Sequence, residues 1–308
     1  MTSATGSIKI QNPQAGDRIG ELTFASRIRE GMASDIWLVW HHRYWAPMIC
    51  KIMRAEESDD DYWLELMERE SKVLQTVEHP NIPRFYELNL DTLLPYLLME
   101  YLPGETVRRV LRRKGHFSLQ DALRLTMHLG GILSYVHSRG FLHRDIKPSN
   151  IMLHCGRIKL FDFGVAWPIS EETPLDKSGT PMYLAPEQCR QEKLTPATDV
   201  WALGLFLFET LTGELPFKGE DYYNYEVELE VRYPQLVQKP LTLKELHRRV
   251  PAGIQEIITR CLAPDPAARY STIEEFLVAL DPYCQTKIWP VEAASTQNIP
   301  DLTAFIRG

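Results

Sequence analysis

The stretch His143-Arg144-Asp145-Ile146-Lys147-Pro148-Ser149-Asn150 is followed, after a pair of short apolar runs, by Asp162-Phe163-Gly164. A carboxylate, an ammonium and a carboxamide therefore fall within six positions, and a second carboxylate precedes a glycine, twelve residues beyond Asn150. One acid can take a hydroxyl proton, the lysine can steady a moving anion, and the amide and second acid offer hard oxygens to a divalent cation. Together these are the groups that phosphoryl transfer requires. The same residue types also occur in ordinary polar loops, so the reading turns on the rest of the chain.

Upstream, Ile36 to Val39 and Met48 to Met53 are apolar, β-rich runs, the second containing Met48-Ile49-Cys50-Lys51. Glu70 sits in a helical pattern in which Leu64, Met67, Val73, Leu74 and Val77 share a face, and it stands ten residues before Pro80 of His79-Pro80-Asn81-Ile82. Downstream come Ala185-Pro186-Glu187, then Asp199-Val200-Trp201-Ala202-Leu203-Gly204, then Asp265-Pro266 with Arg269. In this order the landmarks resemble the protein serine/threonine kinase family over about residues 20 to 282. Tyr101-Leu102-Pro103-Gly104-Glu105-Thr106 and Ala185-Pro186-Glu187-Gln188 look like the bacterial members of its eukaryotic type.

The resemblance implies an α+β, bilobal fold, with a five-stranded antiparallel N-terminal lobe carrying one main helix and a mainly helical C-terminal lobe. The expected divisions are a leader at 1–20, the N-lobe at 21–102, the C-lobe at 103–282 and an extension at 283–308. The residues agree with this outline. Leu22 to Met53 reads as three strands, and Phe85 to Leu90 and Tyr96 to Tyr101 read as two more. After Pro103-Gly104 the apolar period lengthens from two to 3.6, giving a long helix from Leu119 through Val136 that ends at Gly140. Asp199 to Thr212 is apolar on nearly every side, as a buried helix should be, and further helices are expected near 220–230, 252–262 and 272–280.

Site roles are implied by the same resemblance. Asp145 would accept or steer the proton of the attacking hydroxyl, and Lys147 would contact the γ-phosphate, which points to the Ser/Thr branch. Asn150 and Asp162 would bind Mg2+, with Mn2+ as its substitute, while Lys51, oriented by Glu70, would hold the α- and β-phosphates of ATP. The adenine would lie between the lobes, with Met99 as gatekeeper and the Glu100 carbonyl and Leu102 amide bonding its edge. Ile36, Ile49, Met99 and Met152 would sandwich the ring, with Ile28 and Gly31 in the covering loop, although each apolar residue alone reads as plain core. Thr180 matches the substrate-proximal threonine, and Glu187 with Arg269 matches a buried structural ion pair.

Three departures stand out. Where the family has G-x-G-x-x-G-x-V over the phosphates, this chain has Arg29-Glu30-Gly31-Met32-Ala33-Ser34-Asp35-Ile36, keeping only Gly31, so the loop should be stiffer. Arg29 offers a guanidinium to a phosphate in one reading and is an exposed strand-end residue in the other. Ile49 replaces the usual alanine and narrows the adenine pocket. Arg144 before Asp145 marks the subclass in which an activation-segment phosphate pairs with that arginine, and the position often holding a phosphorylatable threonine is Asp176. Asp176 then either stands in part for the phosphate by pairing with Arg144 or is a solvated loop acid. Thr173 and Ser178 are candidate autophosphorylation sites.

Composition narrows the partners. A net charge of −7 gives no electrostatic footprint for nucleic acid. The cluster Arg108, Arg109, Arg112, Arg113 and Lys114 reads as a solvated helix face, with docking of an acidic peptide or anionic lipid as the alternative. Glu56 to Asp61 reads as a solvated loop and helix start. Cysteines 50, 155, 189, 261 and 284 show neither a CxxC pair nor metal spacing, which suggests a reducing compartment. No apolar run approaches eighteen residues, and Met1 to Ile10 lacks signal-peptide character, so a cytoplasmic protein without a membrane segment is expected. The leading expectation is a protein serine/threonine kinase acting on protein substrates, with autophosphorylation in a homodimer. A pseudokinase scaffold, favoured by the altered loop and Ile49, is the alternative. A small-molecule kinase of the aminoglycoside or choline type is disfavoured by Lys147 and Ala185-Pro186-Glu187.

Overall fold

The apolar runs on either side of the chain reversal at residues 42–45 form paired antiparallel strands, as their β-branched and aromatic content favours. A computed structural model of the chain describes residues 12–154, 157–174, 178–219, 227–246 and 250–284. Among the described residues it divides into two compact units, one holding residues 12–75 together with Pro83–Leu102, the other holding Thr76–Ile82 and residues 103–284.

In the first unit, β1 (Arg18–Ile19), β2 (Leu22–Arg29), β3 (Ser34–His41), β4 (Ala46–Met53), β5 (Phe85–Asn89) and β6 (Tyr96–Glu100) make one sheet of order β1-β2-β3-β4-β6-β5, and α1 (Asp61–Thr76) connects β4 to β5. The two-residue edge strand β1 adds a sixth member to the five expected. In β4, Lys51 pairs with Ile36 and Leu97, and Ile49 pairs with Leu38 and Met99. Directly opposed residues share a face and successive ones alternate. Ile36, Ile49, Lys51 and Met99 therefore line one face, while Trp37, Val39, Met48, Cys50, Ile52, Tyr96 and Leu98 line the other. The second set packs with Leu22, Phe24 and Leu94 into the sheet's core, each large side chain contributing about 1.5–3 kcal/mol by burial. In α1, Met67, Glu70, Val73 and Leu74 are buried, whereas Leu64 is half-buried and Val77 is buried just past the helix end.

The second unit begins with β7 (Glu105–Thr106), α2 (Val107–Lys114) and α3 (Leu119–Ser138). Thr106 and Ser118 accept hydrogen bonds from the amides of Arg109 and Asp121, capping both helix starts. Next come β8 (Phe141–Leu142), β9 (Ile151–His154), β10 (Arg157–Leu160) and β11 (Trp167–Pro168), then α4 (Pro186–Arg190), α5 (Pro196–Thr212), α6 (Leu229–Arg232), α7 (Ala252–Cys261) and α8 (Ile273–Leu280). β10, β9 and β7 form one small sheet, and β11 pairs with β8. Helix α5 is buried from Ala197 to Thr212, so its near-continuous apolar sequence is that of a central helix, with α3, α7 and α8 against it. It ends at Gly213, whose φ of +81° favours glycine and where a Cβ would lie 2.1 Å from the Gly115 carbonyl oxygen. Among the described residues no helix is long and apolar enough to cross a membrane. Most of the helix expected at 220–230, the start of the leader and nearly all of the C-terminal extension lie outside the described residues.

The basic run of α2 differs from the solvated face expected. Arg109, Arg112, Arg113 and Lys114 are exposed, but Arg108 reaches the Glu209 carboxylate of α5 at 2.5 Å and also donates to the Tyr183 hydroxyl. An acid in an apolar helix needs a cation or donors beside it, and Arg108 supplies them.

Candidate active site

Helix α3 leads through β8 into residues 143–150, and an acid from the first turn of α5 sets the course of that loop. Both oxygens of Asp199 accept backbone amides, Oδ2 from His143 and Oδ1 from Arg144, each at 2.9 Å. His137 Nε2 lies 2.7 Å from Oδ2. Burial alone would raise the Asp199 carboxyl, but the His137 ring and the His143 amide outweigh it and hold the group below its ordinary value. With its backbone fixed there, Arg144 adopts a left-handed φ of +69° and Asp145 turns inward. Burial keeps the His143 ring below its ordinary range, and Nδ1 accepts the Asp145 amide at 3.3 Å.

Asp145 is 7% exposed and is bound on both oxygens. Oδ2 accepts from Lys147 Nζ at 2.6 Å and from Asn150 Nδ2 at 3.0 Å, and Oδ1 accepts from the Thr180 amide at 3.0 Å. Lys147 also donates to the Thr180 hydroxyl, and Asn150 Nδ2 bonds the Asp145 carbonyl at 2.9 Å. Four residues selected from the sequence, Asp145, Lys147, Asn150 and Thr180, thus meet in one cluster. Asp162 follows Phe161, whose amide donates to the Asn150 carbonyl at 3.0 Å, and it too has a left-handed φ, +70°. The backbone there places a carboxylate rather than a glycine in a conformation side chains rarely adopt, a form of strain typical of functional positions.

In the sheet unit, Lys51 Nζ lies 2.5 Å from Oε2 of Glu70, whose side chain is 3% exposed. Lys51 shares its sheet face with Ile36, Ile49 and Met99. Ile28 is exposed, at an irregularity between Arg27 and Arg29. Gly31 lies in the reversal between β2 and β3, where a Cβ would sit 2.2 Å from the Ser34 carbonyl oxygen, so no other residue closes that turn unchanged. Glu100 Oε2 accepts the Arg84 amide at 3.1 Å and Leu102 is buried. Met152 belongs to the second unit, on β9 opposite Thr106.

Of the regulatory candidates, Thr173 accepts the Leu194 amide on its hydroxyl at 3.0 Å, and Ser178 is half-buried. Asp176 lies outside the described residues. The Arg144 guanidinium donates to the Val165 carbonyl at 3.1 Å and lies 5.8 Å from the centre of the Trp167 ring. The expected ion pair is present and two-pronged: Arg269 Nη1 and Nη2 meet Glu187 Oε1 and Oε2 at 2.8 and 2.9 Å, both side chains being almost wholly buried. Glu187 also accepts the Thr198 hydroxyl.

Sequence reasoning does not assign these positions to Asp199, His137, Gln188 or the set of Arg108, Tyr183 and Glu209. Gln188 donates to the Arg144 carbonyl at 3.2 Å. A usable signal exists for two of them, because Asp199 and Glu209 are the two acids of an otherwise apolar helix and each has to find donors.

The protein kinase domain model matches residues 22–279. The chain is 33% identical to serine/threonine-protein kinase PrkC of Bacillus subtilis strain 168 over 229 residues, 73% of this chain and 34% of that protein. It is 30% identical to serine/threonine-protein kinase PknB of Mycobacterium leprae strain TN over 254 residues, 80% of this chain and 40% of that protein. It is also 30% identical to a probable serine/threonine-protein kinase PknB of Bifidobacterium longum strain NCC 2705 over 292 residues, 89% of this chain and 41% of that protein. The match thus spans between one third and about two fifths of these relatives' lengths. Order of motifs, the sheet and helical units and the match across 22–279 agree, and the chain belongs to the protein kinase domain family.

Proposed function

We propose that the chain transfers the γ-phosphoryl group of ATP to Ser and Thr hydroxyls of proteins, itself among them. The cluster of Asp145 with Lys147, Asn150 and Thr180 carries the reading. A hydroxyl docked beside Asp145 attacks the γ-phosphorus, the bond to the β-bridging oxygen breaks, ADP leaves with that electron pair, and Asp145 takes the proton. Lys147, already seated on Asp145, brings its charge to the side where the transferring phosphoryl group lies. Thr180 holds the acid in place through its amide and meets Lys147 through its hydroxyl. Lys51, oriented by Glu70, is suited to the α- and β-phosphates.

The donor set fits a hard divalent cation. Asn150 spends its amide nitrogen on Asp145, which leaves its carbonyl oxygen as a ligand, and Asp162 adds a carboxylate. Mg2+, or Mn2+ in its place, would neutralise phosphate charge there, with its other ligands coming from phosphate and water. Asn150 orients Asp145 with its amide nitrogen, and its amide oxygen would hold the cation. The pseudokinase reading keeps two supporting features, the covering loop with Gly31 as its sole glycine and Ile49 on the sheet face it shares with Lys51 and Met99.

Labelling with γ-labelled ATP and Mg2+, wild type beside Asp145→Asn, tests the choice. Labelling that disappears in the variant is expected. Absence of labelling in both, with nucleotide binding retained, would establish the pseudokinase reading.

A further inference from the structure

Side chains of this chain tie down the reversal at residues 30–33, the segment that the kinase reading places over the nucleotide phosphates. Asp35, at 3% exposure, accepts the Gly31 amide on Oδ1 at 3.3 Å and the Arg27 guanidinium on Oδ2 at 3.2 Å. On the other side, Arg54 donates to the Gly31 carbonyl at 3.3 Å and to Glu30 at 3.2 Å, and its own amide bonds the Ala33 carbonyl at 2.9 Å. Glu30 closes the ring with Arg27 at 3.3 Å. Gly31 is thus held through both its N–H and its C=O, and Ala33 through its C=O, while Met32 projects at the tip with 81% exposure.

The members are unequal. The pairs of Glu30 with Arg27 and Arg54 are partly exposed, and contacts of that kind contribute little. Asp35 is buried, so the amide and guanidinium it accepts would each lose a charged partner if it were removed. Two of the three glycines that ordinarily shape such a loop are Arg29 and Ser34 here, and a loop without them cannot rely on backbone freedom to settle around an anion.

We propose, resting on the ATP-binding reading of this chain, that Asp35 is a positioning residue for nucleotide binding: with Arg27, Glu30 and Arg54 it holds residues 30–33 in the phosphate-covering conformation before the nucleotide arrives. A loop ordered in advance loses less freedom on binding, and the benefit falls only on ligands that carry phosphates. The same device makes the remnant glycine sufficient, because it needs only to close the turn against Ser34.

The experiment compares MgADP with adenosine by calorimetry on the whole chain. Wild type should bind both. Asp35→Ala should weaken MgADP by roughly tenfold while leaving adenosine within about twofold. Asp35→Asn, which keeps an oxygen for the Gly31 amide, should recover most of that loss, and Arg54→Met, on the exposed side, should weaken MgADP by roughly threefold. Equal losses for MgADP and adenosine, or no loss for either, would overturn the role of Asp35. Wild-type protein that binds neither ligand would overturn the nucleotide reading itself. Should Asp35→Ala fail to fold, the Asn and Met variants decide the matter by the same ratio.

Discussion

The amide of Thr180 donates to Oδ1 of Asp145 at 3.0 Å, so a segment 35 residues further along the chain fixes one oxygen of the acid while Lys147 and Asn150 fix the other. Thr180→Val keeps that amide and removes only the hydroxyl that Lys147 bonds. Phosphotransfer to a protein substrate should lose about tenfold in kcat with KM for ATP little changed, whereas Asp145→Asn should lose about 10²- to 10⁴-fold. Steady-state kinetics on both variants distinguishes positioning from proton transfer.

Lys51 and Glu70 form the corresponding pair in the sheet unit, at 2.5 Å. Lys51→Met should reduce phosphotransfer by at least about 10²-fold, and Glu70→Gln by less, since the amide still accepts a hydrogen bond from the ammonium. Measuring ADP affinity beside rate should show the Lys51 loss divided between the two.

Removing either partner of the Glu187 and Arg269 pair leaves a charge in a place without water. Glu187→Gln or Arg269→Met should each cost about 3–5 kcal/mol in urea unfolding, and the double replacement should cost less than the sum of the two.

His143 and Asp199 give stability a two-stage acid dependence. The buried His143 ring resists protonation, so the unfolded chain binds a proton first and stability should begin to fall as pH drops below the ordinary value of 6.5. The Asp199 carboxyl is held below its ordinary 3.8, so its contribution is complete above that value and is lost as pH falls through the lower, folded one. Urea midpoints taken from pH 7 to 3 should show both stages, and His143→Gln should flatten the upper one.

Much of the fold is legible in the amino-acid sequence, periodicity marking α3 and α5, and of the candidate site the sequence singles out Asp145, Lys147, Asn150 and Thr180, which the fold brings together, and Lys51 with Glu70, which pair. Partnerships between distant positions are not. Arg108 reads like its neighbours Arg109 and Arg112, and only the placement of α5, which carries Glu209, singles it out. Asp35 reads as one more polar residue in a degenerate loop, because its role is set by Arg27 on the same hairpin and by Gly31 at the turn. The sixth strand leaves no trace in the sequence, since two residues carry no periodicity.

Asp199 also bears on how the loop at residues 143–150 takes its shape as the chain folds. The bonds from His143 and Arg144 to its carboxylate span 56 and 55 residues, and they join a loop to a helix buried along nearly its whole length. Contacts of such separation close late in folding. During refolding from urea, helical signal should therefore return before phosphotransfer does, and an early compact form of the chain should have its helices but no working loop.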